Sequence, residues 1–475
     1  MCLLSRRNFL GTAAAGLPLS ALAAAAPDAP AKTASPGSYL DAARETARWI
    51  RSAARKTDEG VLWLPDPDHP EKTATITAPA SLYTGNAGTV LFFLQLAKAT
   101  GDASYLDDAK AGADYVRANW RGVPDFPFVA THKKFNLDFN HGLSGTAFSL
   151  AQVWQATGDP AYRTAALTVT QYIVDAARSV GGGVDWIGAP GAAMGDGAIV
   201  LYLLWAAHAF EDPAYLQLAV RAGKRFLQLS EKPADGGLKW NGFRSEWFGI
   251  KQEIYMPNFE FGTAGVAYVL ARLYEETKDA SFLDAAKAGI QHVQNLSTVS
   301  GDSALLFLSD PGGKDLYYLG YCGGPVGTAR AFYQLYQVTK EPEYLQWTER
   351  FARGVMTSGV PEKQTPGLWN VVCQCCGTAG IIDMFTSLWL ATKKQEYLAY
   401  AQRVAEQTLS RATNLDGKGL RWYQAWTRTK PWEVAAETGY MVGAAGVATA
   451  LLHVQLASEN HYQAILFPDN PYPRT

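Results

Sequence analysis

Net charge is almost absent from this 475-residue sequence, in which 42 lysines and arginines stand against 44 aspartates and glutamates. That balance supplies no basic field for nucleic acid and no polybasic stretch for anionic lipid. Long apolar runs are missing as well: beyond residue 26, no segment is long and apolar enough to span a bilayer. Cysteine is scarce, with five residues at positions 2, 322, 373, 375 and 376. Three of the five fall within four positions, in CQCCGTAG (373 to 380), directly ahead of a GxxG helix start.

The N-terminus explains one cysteine. SRRNFL (Ser5 to Leu10) leads into the alanine-rich run GTAAAGLPLSALAAAA and reads as a twin-arginine export signal ending around Ala24 to Ala26. An uncleaved anchor is disfavoured, because the run contains Gly and Pro and falls short of the ~20 residues a span needs. The expected organisation is a signal over residues 1–26, a linker over 27–38 and one domain over 39–475. The mature protein is expected to be periplasmic or extracellular, with no stable membrane association once the signal is removed. Export removes Cys2 and leaves Cys322, Cys373, Cys375 and Cys376. Exported cysteines suggest disulfides first. A bridge between adjacent Cys375 and Cys376 would be strained against normal disulfide geometry, so a metal cluster is the better expectation.

Length alone suggests about three domains at ~150 residues each, but internal repeats overrule that count. One pattern recurs seven times: a small-residue pair, an apolar helix, a polar turn and an aromatic-led second helix. Examples are TGNAGTVLFFLQLAKATGDASYLDDA from Thr84 and HGLSGTAFSLAQVWQATGDPAYRTAA from His141. The first small residues stand at 85, 142, 195, 262, 324, 377 and 443, and the seventh copy is cut short by the C-terminus. In the other six copies the second small residue precedes the aromatic by 17 positions, as in Gly88 to Tyr105 and Gly380 to Tyr397. The first helix of each pair is apolar nearly all round and the second is amphipathic, so the first is buried and the second lies outside it. These features predict an all-α fold, an α/α toroid of seven inner and seven outer helices. An open solenoid would need polar terminal repeats, which are absent. The return loops share glycine and then tryptophan, as in EGVLWLP and GGLKWNGF; most of these aromatics should cover the end of the core.

If each GxxG opens an inner helix, the residues just ahead of it gather at one end of the barrel. Two positions before the pair stand Tyr83, Asn140, Ala193, Glu260, Cys322, Cys375 and Met441. Cys322 and Cys375 hold the same phase in successive repeats and should meet. With Cys376 they form three soft ligands for one tetrahedral Zn2+ per chain, leaving the fourth position to water or substrate. Cys373 is the weaker candidate for a closing fourth ligand. Three thiolates around a divalent cation leave about one net negative charge, which suits thiol chemistry better than water activation.

The seven GxxG starts, the cysteine ahead of the fifth pair and the Cys-Cys-Gly ahead of the sixth resemble the lanthionine synthetase C-like (LanC) family. That resemblance covers essentially the whole mature chain from about Tyr39. It implies a zinc protein with an α/α barrel that adds a thiol to a dehydrated serine or threonine, with a peptide or small thiol as substrate. It carries over Cys322, Cys375 and Cys376 as ligands and Asp138 as the family's aspartate. Two positions depart from the pattern: Phe261 stands where the family has histidine, and Tyr318 where it has arginine. Glu260 adjoins the first, and His141 stands directly before the second pair, where it either replaces the missing histidine or caps its helix. Asp138, His141 and Glu260 are therefore the candidate proton-handling residues. Two other classes remain: an α/α-toroid (six-hairpin glycosidase-like) hydrolase or epimerase using a pair among Asp138, Glu260, Glu246 and Glu253, and a binding protein in which zinc only ties repeats five and six together.

Overall fold

The computed structural model describes residues 38–70, 80–122, 136–248, 250–363, 367–425, 428 and 430–473. The export signal expected at 1–26, with Arg6 and Arg7, and the linker expected at 27–38 (all but Ser38) lie outside the described residues. Among those residues, seven helices start at the seven small-residue pairs: α2 (Asn86–Thr100), α4 (Leu143–Thr157), α6 (Asp196–Ala209), α8 (Thr263–Thr277), α10 (Pro325–Thr339), α12 (Thr378–Thr392) and α14 (Ala444–Ser458). Six of them are followed by an amphipathic partner: α3 (Ala103–Asn119), α5 (Pro160–Asp175), α7 (Pro213–Gln228), α9 (Ala280–Leu296), α11 (Pro342–Thr357) and α13 (Gln395–Ser410). The seventh partner comes from the other end of the chain. Helix α1 (Tyr39–Ser52) packs on α14, and its Tyr39 backbone N–H donates to Gln455 Oε1 at 3.2 Å.

Each inner helix packs on the next, and α14 packs on α2, so the ring is closed and the fold is an α/α toroid. Local chemistry marks the two kinds of helix. Outer helices α3, α5, α7 and α9 start at Asp102, Asp159, Asp212 and Asp279, whose side chains accept an N–H of the first turn. Inner helices begin after a glycine with no side-chain cap. Close approach explains the second glycine of the motif. A Cβ on Gly145 would lie 2.0 Å from the Phe139 carbonyl oxygen, and one on Gly446 would lie 1.8 Å from that of Tyr440. The incoming loop thus rests on the first turn of the helix it feeds, where any larger residue would push it away.

Four of the return-loop tryptophans are core. Trp63, Trp186, Trp240 and Trp422 are buried, and the last three donate their indole N–H to carbonyls of α5, α7 and α13 at 2.7–2.8 Å. They lock each loop between inner and outer helices, which leaves no aromatic rim for a ligand at these positions.

After α14 the chain turns back into the barrel. Gln95 on α2 brackets it, donating to the Gln463 carbonyl at 2.9 Å and accepting from the Ile465 N–H at 2.8 Å. Phe467 packs on Phe139, Phe148 and Tyr440, and Arg272 of α8 donates to the Pro468 carbonyl at 3.1 Å. No feature of the repeat pattern announces this axial segment.

Candidate metal centre

At the N-terminal end of the inner helices, the seven positions that share a phase in the sequence are joined into a hydrogen-bonded circle. Backbone N–H groups donate to the carbonyl of the next repeat, from Tyr83 to Asn140 (2.8 Å), Ala193 to Glu260 (3.3 Å), Glu260 to Cys322 (3.0 Å), Cys322 to Cys375 (3.2 Å), Cys375 to Met441 (2.9 Å) and Met441 to Tyr83 (2.9 Å). At the remaining joint, Asn140 uses its side-chain amide to reach the Ala193 carbonyl at 3.0 Å. Between repeats five and six the contact is extended by a short parallel pairing of Tyr317–Tyr318 with Leu368–Trp369. Those two strands deliver Cys322 and Cys375 side by side.

The Sγ atoms of Cys322, Cys375 and Cys376 all lie within 4.8 Å of one another. Cys322 to Cys376 is 3.3 Å and Cys376 to Cys375 is 3.6 Å, and all of the described cysteines are free thiols. Three thiolates at ~2.3 Å from a tetrahedral ion would stand ~3.8 Å apart. The trio therefore fits a metal ion with only small adjustments. Burial is complete, with all three residues at most 2% exposed. Hydrogen bonding from Cys322 and then Cys376 holds the Cys375 thiol well below the ordinary range, with the Tyr83 hydroxyl adding to the effect. Cys322, the donor in that pair, is held well above it. Cys373 is also buried, but its sulfur accepts the Cys376 backbone N–H at 3.4 Å and it stands outside the trio.

The candidate proton-handling residues are buried at the same end. Glu260 shares the circle with Cys322 and lies within electrostatic reach of its thiol. His141 stacks on Tyr83 with ring centroids 4.2 Å apart, and its Nδ1 is 3.5 Å from Asp138 Oδ1. Asp138, not His141, organises the helix start, by accepting the His141 backbone N–H at 2.8 Å. The imidazole is thereby left facing Tyr83. Phe261 is buried edge-on against Phe243, and Tyr318 is buried near Trp369. Of the other carboxylates considered, Glu246 and Glu253 are exposed. Tyr83 had no role assigned from sequence, although its shared phase with the cysteines was the available signal.

A sequence model of the family described as lanthionine synthetase C-like protein matches residues 77–467. The chain belongs to that family. Among solved structures this LanC-like chain resembles nisin cyclase, with a TM-score of 0.59 at 14% identity over 82% of this chain and 91% of that one. An α-1,6-mannanase, GH76A from Salegentibacter sp. HEL1_6, is more distant, at a TM-score of 0.43 and 16% identity over 88% of this chain and 98% of that one. So is an unsaturated glucuronyl hydrolase specific for heparin, at 0.46 and 12% over 89% and 97%. No curated protein matches the LanC-like chain by sequence. The likeness to nisin cyclase concerns the fold, and at their lower scores the two glycan enzymes bear on neither fold nor site.

Proposed function

We propose that this LanC-like protein holds one Zn2+ on Cys322, Cys375 and Cys376 and adds a thiol to an electrophilic carbon of the dehydroamino acid type. The observation that carries this function is the meeting of three buried thiols from two successive repeats, at separations that suit one tetrahedral ion. A zinc ion bound there would keep an incoming substrate thiol deprotonated and nucleophilic at neutral pH.

The balance of the reaction assigns work to the surrounding residues. The thiolate sulfur bonds to the β-carbon of the dehydrated residue, the π-electron pair moves toward the carbonyl, and a proton must then reach the α-carbon. Glu260 and the Asp138–His141 pair are the groups available to move that proton. Asp138 sits where it can hold one tautomer of His141, and the stacked Tyr83 ring limits the imidazole to one plane. Burial of the whole group excludes water, which would otherwise compete for the electrophile and weaken each hydrogen bond.

The test has two arms. Purified mature protein should hold one zinc per chain, and Cys322→Ala, Cys375→Ala or Cys376→Ala should remove it while Cys373→Ala does not. Incubation with a dehydroalanine-containing peptide and glutathione should yield the thioether, read by mass. Full zinc retention after two of the ligand changes would defeat the ligand set, and cleavage of an oligosaccharide without any thiol addition would move the protein to the glycan-processing class.

We also propose export through the twin-arginine route, supported by Ser5 to Leu10 and the alanine-rich run after it. Arg6→Lys combined with Arg7→Lys should retain the precursor in the cytoplasm, and normal export of that variant would remove the assignment. Cargo on this route is folded, so metal would be loaded before the thiols meet an oxidising compartment.

A further inference from the structure

In the two repeats that carry cysteines, the residue just before the circle position hydrogen-bonds a carboxylate inside the barrel. Leu82, Phe139, Ala192 and Phe259 are apolar in repeats one to four, and Tyr440 in repeat seven lines the same cavity but packs on Phe467. In repeats five and six the residues are Tyr321 and Gln374, and both line a cavity inside the barrel. Each is held there by a carboxylate. The Tyr321 hydroxyl donates to Asp469 Oδ2 at 2.6 Å, and Arg330 of α10 donates to the same oxygen at 2.7 Å with its guanidinium 4.7 Å above the Tyr321 ring. The Gln374 amide donates to Asp383 Oδ2 at 2.7 Å and to the Gly446 carbonyl at 3.1 Å, while the other oxygen of Asp383 meets His453 Nδ1 at 2.9 Å.

We propose that Asp469, on the axial C-terminal segment, and Asp383, on α12, are positioning residues for the metal centre. They act from inside the barrel through Tyr321 and Gln374 to set where Cys322 and Cys375 stand. Burial gives these links their strength. Tyr321, Gln374 and Asp469 are each 6% exposed, so a hydrogen bond to a carboxylate here has little water to compete with it. The geometry also gives them leverage. Tyr321 and Gln374 are each one peptide from a ligand, and their carbonyls rest on the first turns of α10 and α12, where a Cβ on Gly327 or Gly380 would come within 2.1 or 2.4 Å. Pulling on the side chain therefore rotates the following cysteine about a fixed point. The axial segment becomes part of the site although it contributes no ligand.

This inference rests on the cysteine trio binding zinc, and zinc affinity measured by chelator competition tests it. Asp469→Ala and Tyr321→Phe should each weaken binding by ~10-fold or more, as loss of an outer partner of a metal ligand does. Combining them should add little, because both break one link. Asp469→Asn should recover most of the affinity, since an amide oxygen still accepts from Tyr321. Asp383→Ala should weaken binding by a similar factor, and its effect should multiply with that of Asp469→Ala. Phe467→Ala provides the control: it loosens the same segment, lowers Tm and should leave zinc affinity unchanged. If Asp469→Ala does not fold, Tyr321→Phe carries the test, because it removes one hydroxyl. Zinc binding in the parent with unchanged affinity in Tyr321→Phe and Asp469→Ala overturns this inference alone. Weakening by Phe467→Ala as large as that by Asp469→Ala also overturns it, by showing a general loss of packing. No zinc binding in the parent overturns this inference and the proposed ligand set together.

Discussion

Two seams close the circle of loops, and they are built differently. Repeats five and six meet through a parallel strand pairing and a cluster of thiols. Repeats seven and one, which bring the two ends of the chain together, meet through Met441 and Tyr83, with Thr438 donating to the Pro65 and Leu64 carbonyls at 3.0 and 2.9 Å. Behind that second seam α1 packs on α14, and Arg48 reaches the Gly417 carbonyl. Both seams carry the same backbone hydrogen bond between circle positions, 3.2 Å at one and 2.9 Å at the other. Closure is therefore a property of the backbone and the apolar helices, and the cysteines are an addition to a ring that already holds.

Metal chemistry gives the largest way to break this comparison. Cys375→Ala should abolish zinc binding and thiol addition, yet leave helical circular dichroism and a cooperative melt. If removing the metal instead unfolds the chain, the thiols are a structural clasp and the two seams are not equivalent. Next in size are the groups that should handle the proton. His141→Asn and Glu260→Gln should each retain zinc and lower thiol addition by the ~10²-fold or more typical of a lost general acid or base. A full-activity His141 variant beside an inactive Glu260 variant would assign the proton to the side of the circle nearer the cysteines.

A smaller effect should be shared by both seams. Gly380→Ala beside the thiols and Gly446→Ala beside the chain ends each place a Cβ against a backbone carbonyl, at 2.4 and 1.8 Å. Each should lose about 1–3 kcal/mol of stability, read by chemical denaturation, from overpacking. Both should also weaken zinc binding, because the Cβ on Gly446 would come within 2.7 Å of Gln374 Cγ. The smallest effect lies at the closing seam alone. Hydrogen bonds from Arg421, at 2.9 and 3.1 Å, hold the Asp416 carboxyl down at about 2 from its ordinary 3.8. A depressed folded value stabilises above the unfolded one and is lost as the pH falls through the folded value. Asp416→Asn should therefore cost a little stability at neutral pH, and its difference from the parent should shrink as the pH drops from about 4 toward 2. A difference that stays constant over that range would show that packing, not charge, holds the Asp416–Arg421 link.

Much of this molecule could be read from spacing. The small-residue pairs located seven inner helices, and six of them are GxxG because a loop carbonyl rests on the first turn against the second glycine. The shared phase of Cys322 and Cys375 placed them together across 53 residues, since equal positions in successive hairpins become neighbours. Other features had no local signal. The seventh outer helix lay at the far end of the chain, where α1 carries no glycine pair to mark it. Asp383 and His453 sit 70 residues apart within two apolar helices, and nothing in either helix announces that they meet.

By itself the sequence determined the hairpin repeat, the apolar and amphipathic assignment of its helices and the identity of the thiols, because each depends on residues close in the chain. Tertiary structure alone decided that the ring closes through α1 and that Tyr83 stands between His141 and Cys375. It also decided that the C-terminal segment occupies the barrel axis with Asp469 against Arg330 and Tyr321. The physical reason is that burial makes these contacts worth having. A carboxylate on a solvated tail is one exposed charge among many, whereas inside a ring of apolar helices it must find donors, and one of the donors it finds, Tyr321, adjoins Cys322.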